Sequence, residues 1–319
     1  MITRRRFMGG VGVAATAAFG LGGYAVAVEP GFRLQRTRYR LTPPGWPPGF
    51  KLRIAALADL HACEPWMNVD RIRRIVAKTN RYEPDVTLLL GDYEAGMAIR
   101  TADVPSAAWA GALSGLRARR GVFAVMGNHD WGRDAISRFA GDHRPAAWRA
   151  LERAGIQVLE NDAVRVTSHG RGVWIAGLGD QLAPSPGGVG RGRDDLAKTV
   201  AALGSDEEPA ILMAHEPDIF PRVPRRFALT LAGHTHGGQV RFLGKAPLVP
   251  SRYGDRFAYG HIEDAGRHMI VSGGLGCSNL PIRFGVPPEV VIIELGGDGP
   301  EAPADPADGE DGSPPALFV

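Results

Sequence analysis

Short apolar runs alternate along the chain with amphipathic or alanine-rich segments. The runs hold three to six residues each, which is typical of buried strands; they occupy residues 54–58, 86–90, 122–126, 173–176, 210–214, 229–232, 269–271 and 290–295. Apolar residues at helical spacing, or a proline before and a glycine after the segment, predict helices between them; these cover residues 70–82, 106–119, 145–154 and 194–203. This alternation predicts an α/β layered fold around largely buried, mixed parallel and antiparallel sheet.

The two ends of the chain differ from this body. Residues 3–8 read TRRRFM, a twin-arginine pattern, and residues 8–28 carry no charged side chain but six glycines and six alanines. We interpret residues 1–28 as a twin-arginine signal, with an A-x-A cleavage motif at Ala25 to Ala27, rather than as a permanent membrane anchor. An uncut segment would instead tether the protein to the outer face of the cytoplasmic membrane.

We therefore expect passage through the twin-arginine export machinery and a location in the periplasm or on the extracytoplasmic face of the membrane. Residues 29–295 then form one domain, and the acidic, Gly- and Pro-rich residues 296–319 form a disordered tail. A rigid PPGWPP linker at residues 43–48 is expected near the start of the domain.

Composition and charge exclude several classes of protein. A hydrophobic content of 44% and a charged content of 22% are globular values, and they exclude a fully disordered chain and a polytopic membrane protein. Two cysteines, Cys63 and Cys277, cannot build a disulfide scaffold or a structural zinc module, so we expect free buried thiols. The charge is +3 overall and +6 for residues 28–295. This suits an anionic substrate or membrane surface, but it falls short of the basic stripe of a specific nucleic-acid binder.

Polar residues follow five of the apolar runs directly. The sequences DLH (59–61), GD (91–92) and GNHD (127–130) follow three runs, and His215 and GHTHGG (233–238) follow two more. Because ligands of open α/β sheets bind beyond the carboxyl ends of strands, we expect these groups at one sheet edge. We also expect the D-x-H and H-x-H pairs each to point one way, since residues i and i+2 of an extended chain share a face.

These loops supply two carboxylates, one amide oxygen and four imidazoles. The donors are Asp59, Asp92, Asn128, His61, His215, His234 and His236. Seven ligands, with one carboxylate able to bridge, match two metal ions. Mixed imidazole and carboxylate donors without a thiolate fit zinc, manganese or iron better than magnesium or calcium.

In this order and spacing, the motifs over residues 51–295 resemble those of calcineurin-like metallophosphoesterases. The twin-arginine start, the GHTHGGQ block, and the segments PSRYGDRFAYG (250–260) and LPIRFGVPPEV (280–290) are closest to the exported bacterial YkuE-like branch. The resemblance implies a four-layered α/β/β/α sandwich in a single domain, with the site at the strand ends. The GDYEAG sequence at residues 91–96 lacks the GDYVDRG motif of the Ser/Thr protein phosphatases, which argues against that branch.

The resemblance also implies roles for individual residues. It assigns one metal ion to Asp59, His61 and His236, and the other to Asn128, His215 and His234, with Asp92 as the bridge. It makes His129 the general acid or transition-state donor near the leaving group. Asp130 would either orient His129 or anchor its loop.

The implied activity is hydrolysis of a phosphodiester or pyrophosphate bond. Hydroxide shared by two cations attacks phosphorus in line while the cations neutralise the growing charge. Since relatives of this branch include lipid-directed pyrophosphatases, a membrane lipid or nucleotide-sugar lipid is an expected substrate. A phosphomonoesterase or nucleotidase of the same fold, a non-catalytic metal-binding scaffold and a metal-dependent nuclease remain alternatives.

The residues that would grip the substrate are less clearly marked. Arg252, Arg256 and Arg283 are candidates for holding phosphate, although loop arginines are more often solvated or structurally paired. His261 follows the 250–260 segment and is a candidate pocket-lining residue.

Overall fold

The computed structural model describes residues 19–131, 144–168, 170–183 and 192–297. The twin-arginine motif at residues 3–8 and nearly all of the expected acidic tail lie outside this part of the chain.

One six-stranded sheet joins the two ends of the domain. Its order is β1 (Gln35–Leu41), β14 (Glu289–Leu295), β2 (Leu52–Leu57), β4 (Val86–Leu89), β6 (Val122–Ala124) and β7 (Gln157–Val158). The last four strands run parallel to one another, whereas β14 is antiparallel to β2 and parallel to β1. The sheet is therefore mixed, as the sequence predicts. Strand β1, at the start of the domain, is one of its edge strands.

A second six-stranded sheet is formed by the later part of the chain. Its order is β12 (Gly260–Asp264), β13 (Arg267–Val271), β11 (Phe227–Ala232), β10 (Ala210–Met213), β9 (Arg171–Gly177) and β8 (Asp162–Ser168). The four inner strands are parallel, and the two edge strands are antiparallel to their neighbours. A two-stranded ribbon pairs β3 (Cys63–Glu64) with β5 (Ala102–Asp103).

Four helices occupy the segments predicted from the sequence, but all are shorter than predicted. They are α1 (Val69–Asn80), α2 (Ser106–Leu113), α3 (Ala146–Arg153) and α4 (Leu196–Ala201). The Asn68 side chain caps α1 by accepting a hydrogen bond from the backbone N–H of Arg71 at 2.9 Å, which satisfies one free donor of the first turn. The largest difference is at α2, which gives way to a turn at Ser114 and Gly115 that leads the chain back towards β6.

Alternate residues of the strands face different layers. In β2, Ile54 and Ala56 belong to an apolar cluster between the two sheets. Ala55 and Leu57 belong to a second cluster that the sheet shares with α1, α2 and α3. A third cluster covers the outer face of the second sheet, with α4 packed against it. These layers form the α/β/β/α sandwich that the family resemblance implies.

The segment expected to be a linker is part of the inter-sheet core. Trp46 is buried, stacks on Phe50 with ring centroids 5.2 Å apart, and donates its indole N–H to the Phe50 carbonyl at 2.7 Å. Prolines around Trp46 restrict the backbone, and the core uses that rigidity to hold a large side chain at one end of the sandwich. The segment links β1 to β2, and its contribution to the core was not predicted from the sequence.

The helical residues 19–32 include part of the expected signal, and they contact the domain. The Ala25 carbonyl accepts the backbone N–H of Arg283 at 2.9 Å, and the buried Glu29 carboxylate accepts that of Val286 at 2.8 Å. The ring of Tyr24 lies edge-on to Phe284. Among the described residues, no helix combines the length and the apolar character needed to cross a membrane.

Candidate metal centre

Loops from both sheets supply the candidate ligands. Asp59, Asp92 and Asn128 follow strands β2, β4 and β6 of the first sheet, whereas His215 and His234 follow β10 and β11 of the second. The expectation of one sheet edge was therefore wrong, because two sheets meet at this end of the sandwich. A hydrogen bond joins the loop after β11 to the loop after β2: the backbone N–H of His234 donates to Asp59 Oδ1 at 2.9 Å.

The backbone of these loops is not extended. Positive φ angles occur at five of the seven candidate ligands, a conformation that L-residues seldom adopt: Asp59 (55°), His61 (47°), Asp92 (57°), His234 (69°) and His236 (51°). The members of each pair do share a site, but the i, i+2 argument from an extended chain was wrong. Turns with left-handed residues place these side chains.

Three side chains form the first group. Asp59, His61 and His236 are buried and can each offer a ligand atom within 4.8 Å of the other two. The Nε2 atoms of His61 and His236 lie 3.0 Å apart, and His236 Nε2 lies 3.7 Å from Asp59 Oδ1. Two imidazole nitrogens and a carboxylate oxygen thus converge on one point.

The second group contains Asp92, His215 and His234 within the same limit of 4.8 Å. His215 Nε2 lies 3.3 Å from Asp92 Oδ2. Asn128, the fourth expected member, places its Oδ1 3.1 Å from His234 Nδ1. All seven residues predicted as ligands therefore meet at this end of the sandwich.

Asp92 lies between the two groups. Its Oδ2 is 3.5 Å from His61 Nε2 in the first group and 3.3 Å from His215 Nε2 in the second. One oxygen therefore faces a histidine from each group, which is the geometry that the prediction of a bridging carboxylate requires.

Backbone carbonyls orient the histidines. His61 Nδ1 lies 3.0 Å from the Glu94 carbonyl, and His215 Nδ1 lies 2.7 Å from the Leu90 carbonyl. Because a carbonyl only accepts, His215 Nδ1 carries a proton, and its Nε2 is the nitrogen that faces the site. His61 Nδ1 also has the backbone N–H of Gly96 as a neighbour, at 3.2 Å. His215 Nε2 is buried without a hydrogen-bond partner. A buried ring nitrogen without a hydrogen-bond partner that faces a carboxylate fits a cation at this point, where the cation would replace the proton of the metal-free ring.

Burial and mutual charge set the protonation of the metal-free site. Burial lowers the pKa of His61 and of His234 to about 4 each, so both rings are neutral at pH 7. Burial raises the pKa of Asp59 to about 7. For His215, burial acts to lower the pKa, but the nearby carboxyl groups of Asp92, Glu216 and Asp59, with Asp92 foremost, together hold that pKa well above its usual range.

Metal binding is therefore expected to release protons, because ligands must be deprotonated. Asp59 carries a proton below its pKa of about 7, and His215 carries one at neutral pH. The apparent affinity for Mn²⁺ or Zn²⁺ should rise with pH through neutrality, and by about tenfold per pH unit for each proton displaced. Calorimetric titrations in buffers of different ionisation enthalpy measure that release directly. Binding without proton release near pH 6 would contradict these protonation states.

His129 lies at the edge of the site. Its backbone N–H donates to Asp92 Oδ1 at 2.9 Å, and its half-buried ring stands edge-on to His61 with centroids 5.0 Å apart. Asn128 to Trp131 form a short 3-10 turn rather than extended chain. The turn directs the His129 ring beside the first group, where it can face a bound substrate.

Asp130 anchors the loops. Its buried carboxylate accepts four backbone N–H groups at 2.7 to 3.0 Å, from Asp92, Tyr93, Glu94 and Gly127. Of the two roles that the sequence leaves open, these bonds support the structural one. The carboxylate joins the loop of the bridging residue to the loop of His129.

Gly96 provides a test of ring placement. A Cβ added at this position would lie 2.8 Å from Cε1 of His129 and 2.9 Å from Cε1 of His61, which is too close for either ring to remain in place. We expect Gly96→Ala to lower kcat by about tenfold to a hundredfold, because small misplacements of reacting groups are costly. Gly111→Ala in α2 is the matched control, since its Cβ meets nothing within 4 Å. Steady-state rates with saturating metal compare the two, and an unchanged rate in Gly96→Ala would contradict the placement.

Arg283 has a different position from the one expected. It is fully buried, and its guanidinium donates to the carbonyls of Gly276 and Val286 and lies 3.2 Å from His236 Nδ1. These contacts support a positioning role for a metal ligand rather than a grip on phosphate. The sequence did not indicate that role.

The other two arginine candidates are paired at the surface. Arg252 Nε lies 3.5 Å from Asp218, and Arg256 donates to Asp264 at 3.1 Å. His261, considered as a pocket residue, is exposed on β12, where its ring stacks on His268. Substrate contacts by Arg252 and Arg256 stay predictions.

The structure also adds residues that sequence reasoning missed. Asp180 and Glu216 are buried beside His215, and the three can offer ligand atoms within 4.8 Å of one another. Because His215 Nε2 already faces Asp92, we interpret the two acids as neighbours that surround His215 and not as further ligands of the second group.

Cys63 and Cys277 are unpaired and buried around Met97.

Comparison with known proteins identifies the family. Residues 52–238, more than half of the chain, match the family described as calcineurin-like phosphoesterase. The chain belongs to this family, whose members use a binuclear centre of divalent metal ions, and it is a metallophosphoesterase.

Individual relatives extend over almost the whole chain. It is 31% identical over 310 residues to phosphodiesterase YaeI of Escherichia coli, covering 92% of this chain and 100% of YaeI. It is 27% identical over 309 residues to the Bacillus subtilis protein described as uncharacterized metallophosphoesterase YkuE, covering 92% of this chain and 98% of YkuE. The resemblance to the YkuE-like branch is thus confirmed at the level of sequence.

Proposed function

We propose that this metallophosphoesterase hydrolyses a phosphodiester or pyrophosphate bond with two metal ions, and that its substrate is carried by a membrane lipid. The observation that carries the two-metal reaction is Asp92 Oδ2, which lies within 3.5 Å of a histidine nitrogen in each ligand group. The name of the relative YaeI supports diester chemistry.

The residues divide the work between holding the metal ions and moving a proton. Two divalent ions supply a water of lowered pKa and neutralise charge on the phosphoryl oxygens. On the protein side, Asp92 fixes the backbone N–H of His129 at 2.9 Å and thereby sets where its ring stands. That ring can donate a proton to the leaving oxygen, and an alkoxide leaving group needs this proton more than an acidic phenoxide does.

The test compares two chromogenic substrates with the full chain, which keeps the contacts of residues 24–29. Protein stripped of metal and reloaded with Mn²⁺, Zn²⁺ or Fe²⁺ is assayed on bis-p-nitrophenyl phosphate and p-nitrophenyl phosphate. The proposal expects metal-dependent turnover with the diester preferred. Preference for the monoester would favour a phosphomonoesterase, and no turnover of either compound, or of a lipid diphosphate, with two metals bound would favour a binding scaffold.

Export by the twin-arginine route is part of the same proposal. The TRRRFM sequence at residues 3–8 supports it. Conservative replacement of Arg4 and Arg5 by lysine is expected to leave the protein in the cytoplasm of a bacterium with this export machinery, as fractionation and immunoblotting would show. Unimpaired export of the double variant would argue against this route.

A further inference from the structure

Large apolar side chains are exposed on one face near the metal centre. Phe242 and Leu243 stand at the tip of a tight turn with 68% and 88% of their surface exposed, and Leu248 follows with 79%. Leu280 is 46% exposed on the neighbouring loop. Apolar side chains of this size at a loop tip are costly in water, and clusters of them mark interaction sites.

Backbone contacts join three segments into this face. Val240 bridges to Phe284, and the backbone N–H of Arg241 donates to the Phe284 carbonyl at 2.7 Å. Phe284 in turn contacts Tyr24 of the N-terminal helical residues, on which Phe32 is 57% exposed. We call these three segments, residues 19–32, 240–248 and 280–284, the docking face.

The docking face is continuous with the metal centre. The backbone N–H of Gln239, the residue before the face, donates to the carbonyl of the candidate ligand His236 at 2.9 Å. Arg283, within the face, contacts the ring of the same histidine. Whatever covers this face therefore lies next to the loop that carries His236.

A basic side chain is exposed beside the apolar tip. Lys245 follows Phe242 and Leu243 in the turn and is exposed. Other basic residues nearby are paired or buried: Arg241 lies 2.9 Å from Asp255, Arg252 lies 3.5 Å from Asp218, and Arg283 is fully buried. Residues 28–295 as a whole carry a net charge of +6. An exposed lysine beside exposed phenylalanine and leucine, on a domain of net positive charge, matches an anionic lipid surface, which attracts the cation and takes up the apolar groups.

We propose that the docking face inserts the tip formed by Phe242 and Leu243 into an anionic lipid bilayer, so that the metal centre opens at the membrane surface. The inference deepens the proposed function, on which it rests only for the lipid substrate. Membrane insertion itself is independent of turnover and can be measured without it.

The first experiment measures insertion residue by residue in the full chain. Leu243→Cys is labelled with the environment-sensitive fluorophore NBD, and Leu182→Cys in the loop after β9 is the matched control, since Leu182 is 57% exposed. The native thiols are buried, and labelled unsubstituted protein gives the blank. With vesicles of phosphatidylcholine containing about a quarter phosphatidylglycerol, NBD at 243 should shift to the blue and gain intensity, while NBD at 182 should not.

The second experiment measures partition into vesicles by flotation. Phe242→Ser combined with Leu243→Ser is expected to weaken binding by about tenfold or more, because two large apolar side chains no longer leave water. Lys245→Glu is expected to weaken binding to the anionic vesicles by roughly fivefold or more, with little effect on neutral ones. Both variants should hydrolyse bis-p-nitrophenyl phosphate at the rate of the unsubstituted chain.

These outcomes separate the two proposals. An unshifted NBD signal at 243 on protein that floats with vesicles would overturn membrane insertion while leaving the hydrolase proposal intact. A shift that depends on protein concentration without vesicles would overturn it in favour of a second copy of the chain. Insertion in a protein that hydrolyses no phosphoester would refute the proposed function instead.

Discussion

Replacing Asp92 by alanine is expected to remove both metal ions and the hydrolytic activity together. Asp92 Oδ2 faces His61 and His215, one histidine from each ligand group. Without it, each group keeps imidazoles but loses the shared negative charge that holds two cations close together. Elemental analysis after dialysis should find less than one metal ion per chain, and diester turnover should fall below detection.

A second buried carboxylate provides a control variant, which separates loss of metal and activity from loss of protein stability. Asp85 is also buried in the first sheet, where it accepts the backbone N–H of Arg53 at 2.9 Å. We expect Asp85→Ala to lower the melting temperature but to retain two metal ions and activity in the folded protein. If Asp92→Ala keeps both metal ions, the assignment of Asp92 as the bridge is wrong.

Replacing His129 by alanine is expected to keep both metal ions and to lower kcat by about a hundredfold to ten-thousandfold, the usual contribution of a general acid. The ring is not one of the groups that converge on the metal positions, and its contact with Asp92 is made by the backbone N–H, which alanine retains. The loss should be smaller for substrates with acidic leaving groups, because these need no proton to depart.

The leaving-group dependence is the decisive measurement for His129. A series of diesters with leaving groups of increasing pKa should show a steeper decline in rate for His129→Ala than for the unsubstituted protein. His261→Ala, which removes an exposed histidine on β12, should show neither effect. Full activity of the His129 variant would disprove its role, and loss of metal would make it a ligand instead.

The sequence predicted the composition of the site because each candidate ligand directly follows a buried strand. Once the strands are recognised, the loops after them can be expected to meet, and all seven ligand candidates do. The local conformation was not predictable in this way. A pair such as Asp59 and His61 looks like extended chain from its spacing, and only the packing of two sheets against each other requires a turn there.

The supporting residues could not be assigned from the sequence, since their partners come from distant segments. Asp130 accepts hydrogen bonds from backbone groups that belong mostly to the loop of Asp92. Arg283 contacts His236, which lies 47 residues earlier in the chain. Edge strands were missed for a related reason. Strand β8 mixes exposed, half-buried and buried residues, and β12 alternates between exposed and half-buried residues, so neither shows the continuous apolar run that marks a buried strand.

The left-handed backbone conformation at five ligand positions lowers the stability of this protein, although it places the side chains for metal binding. A residue with a Cβ in this conformation costs roughly 1 to 2 kcal/mol relative to the ordinary helical region, and glycine would avoid most of that cost. Selection for heat resistance alone would therefore favour glycine where the chain has Asp59, His61, Asp92, His234 and His236. Their presence means that the fold tolerates local instability at the metal centre in exchange for function, and stabilising substitutions should be sought elsewhere in the sandwich.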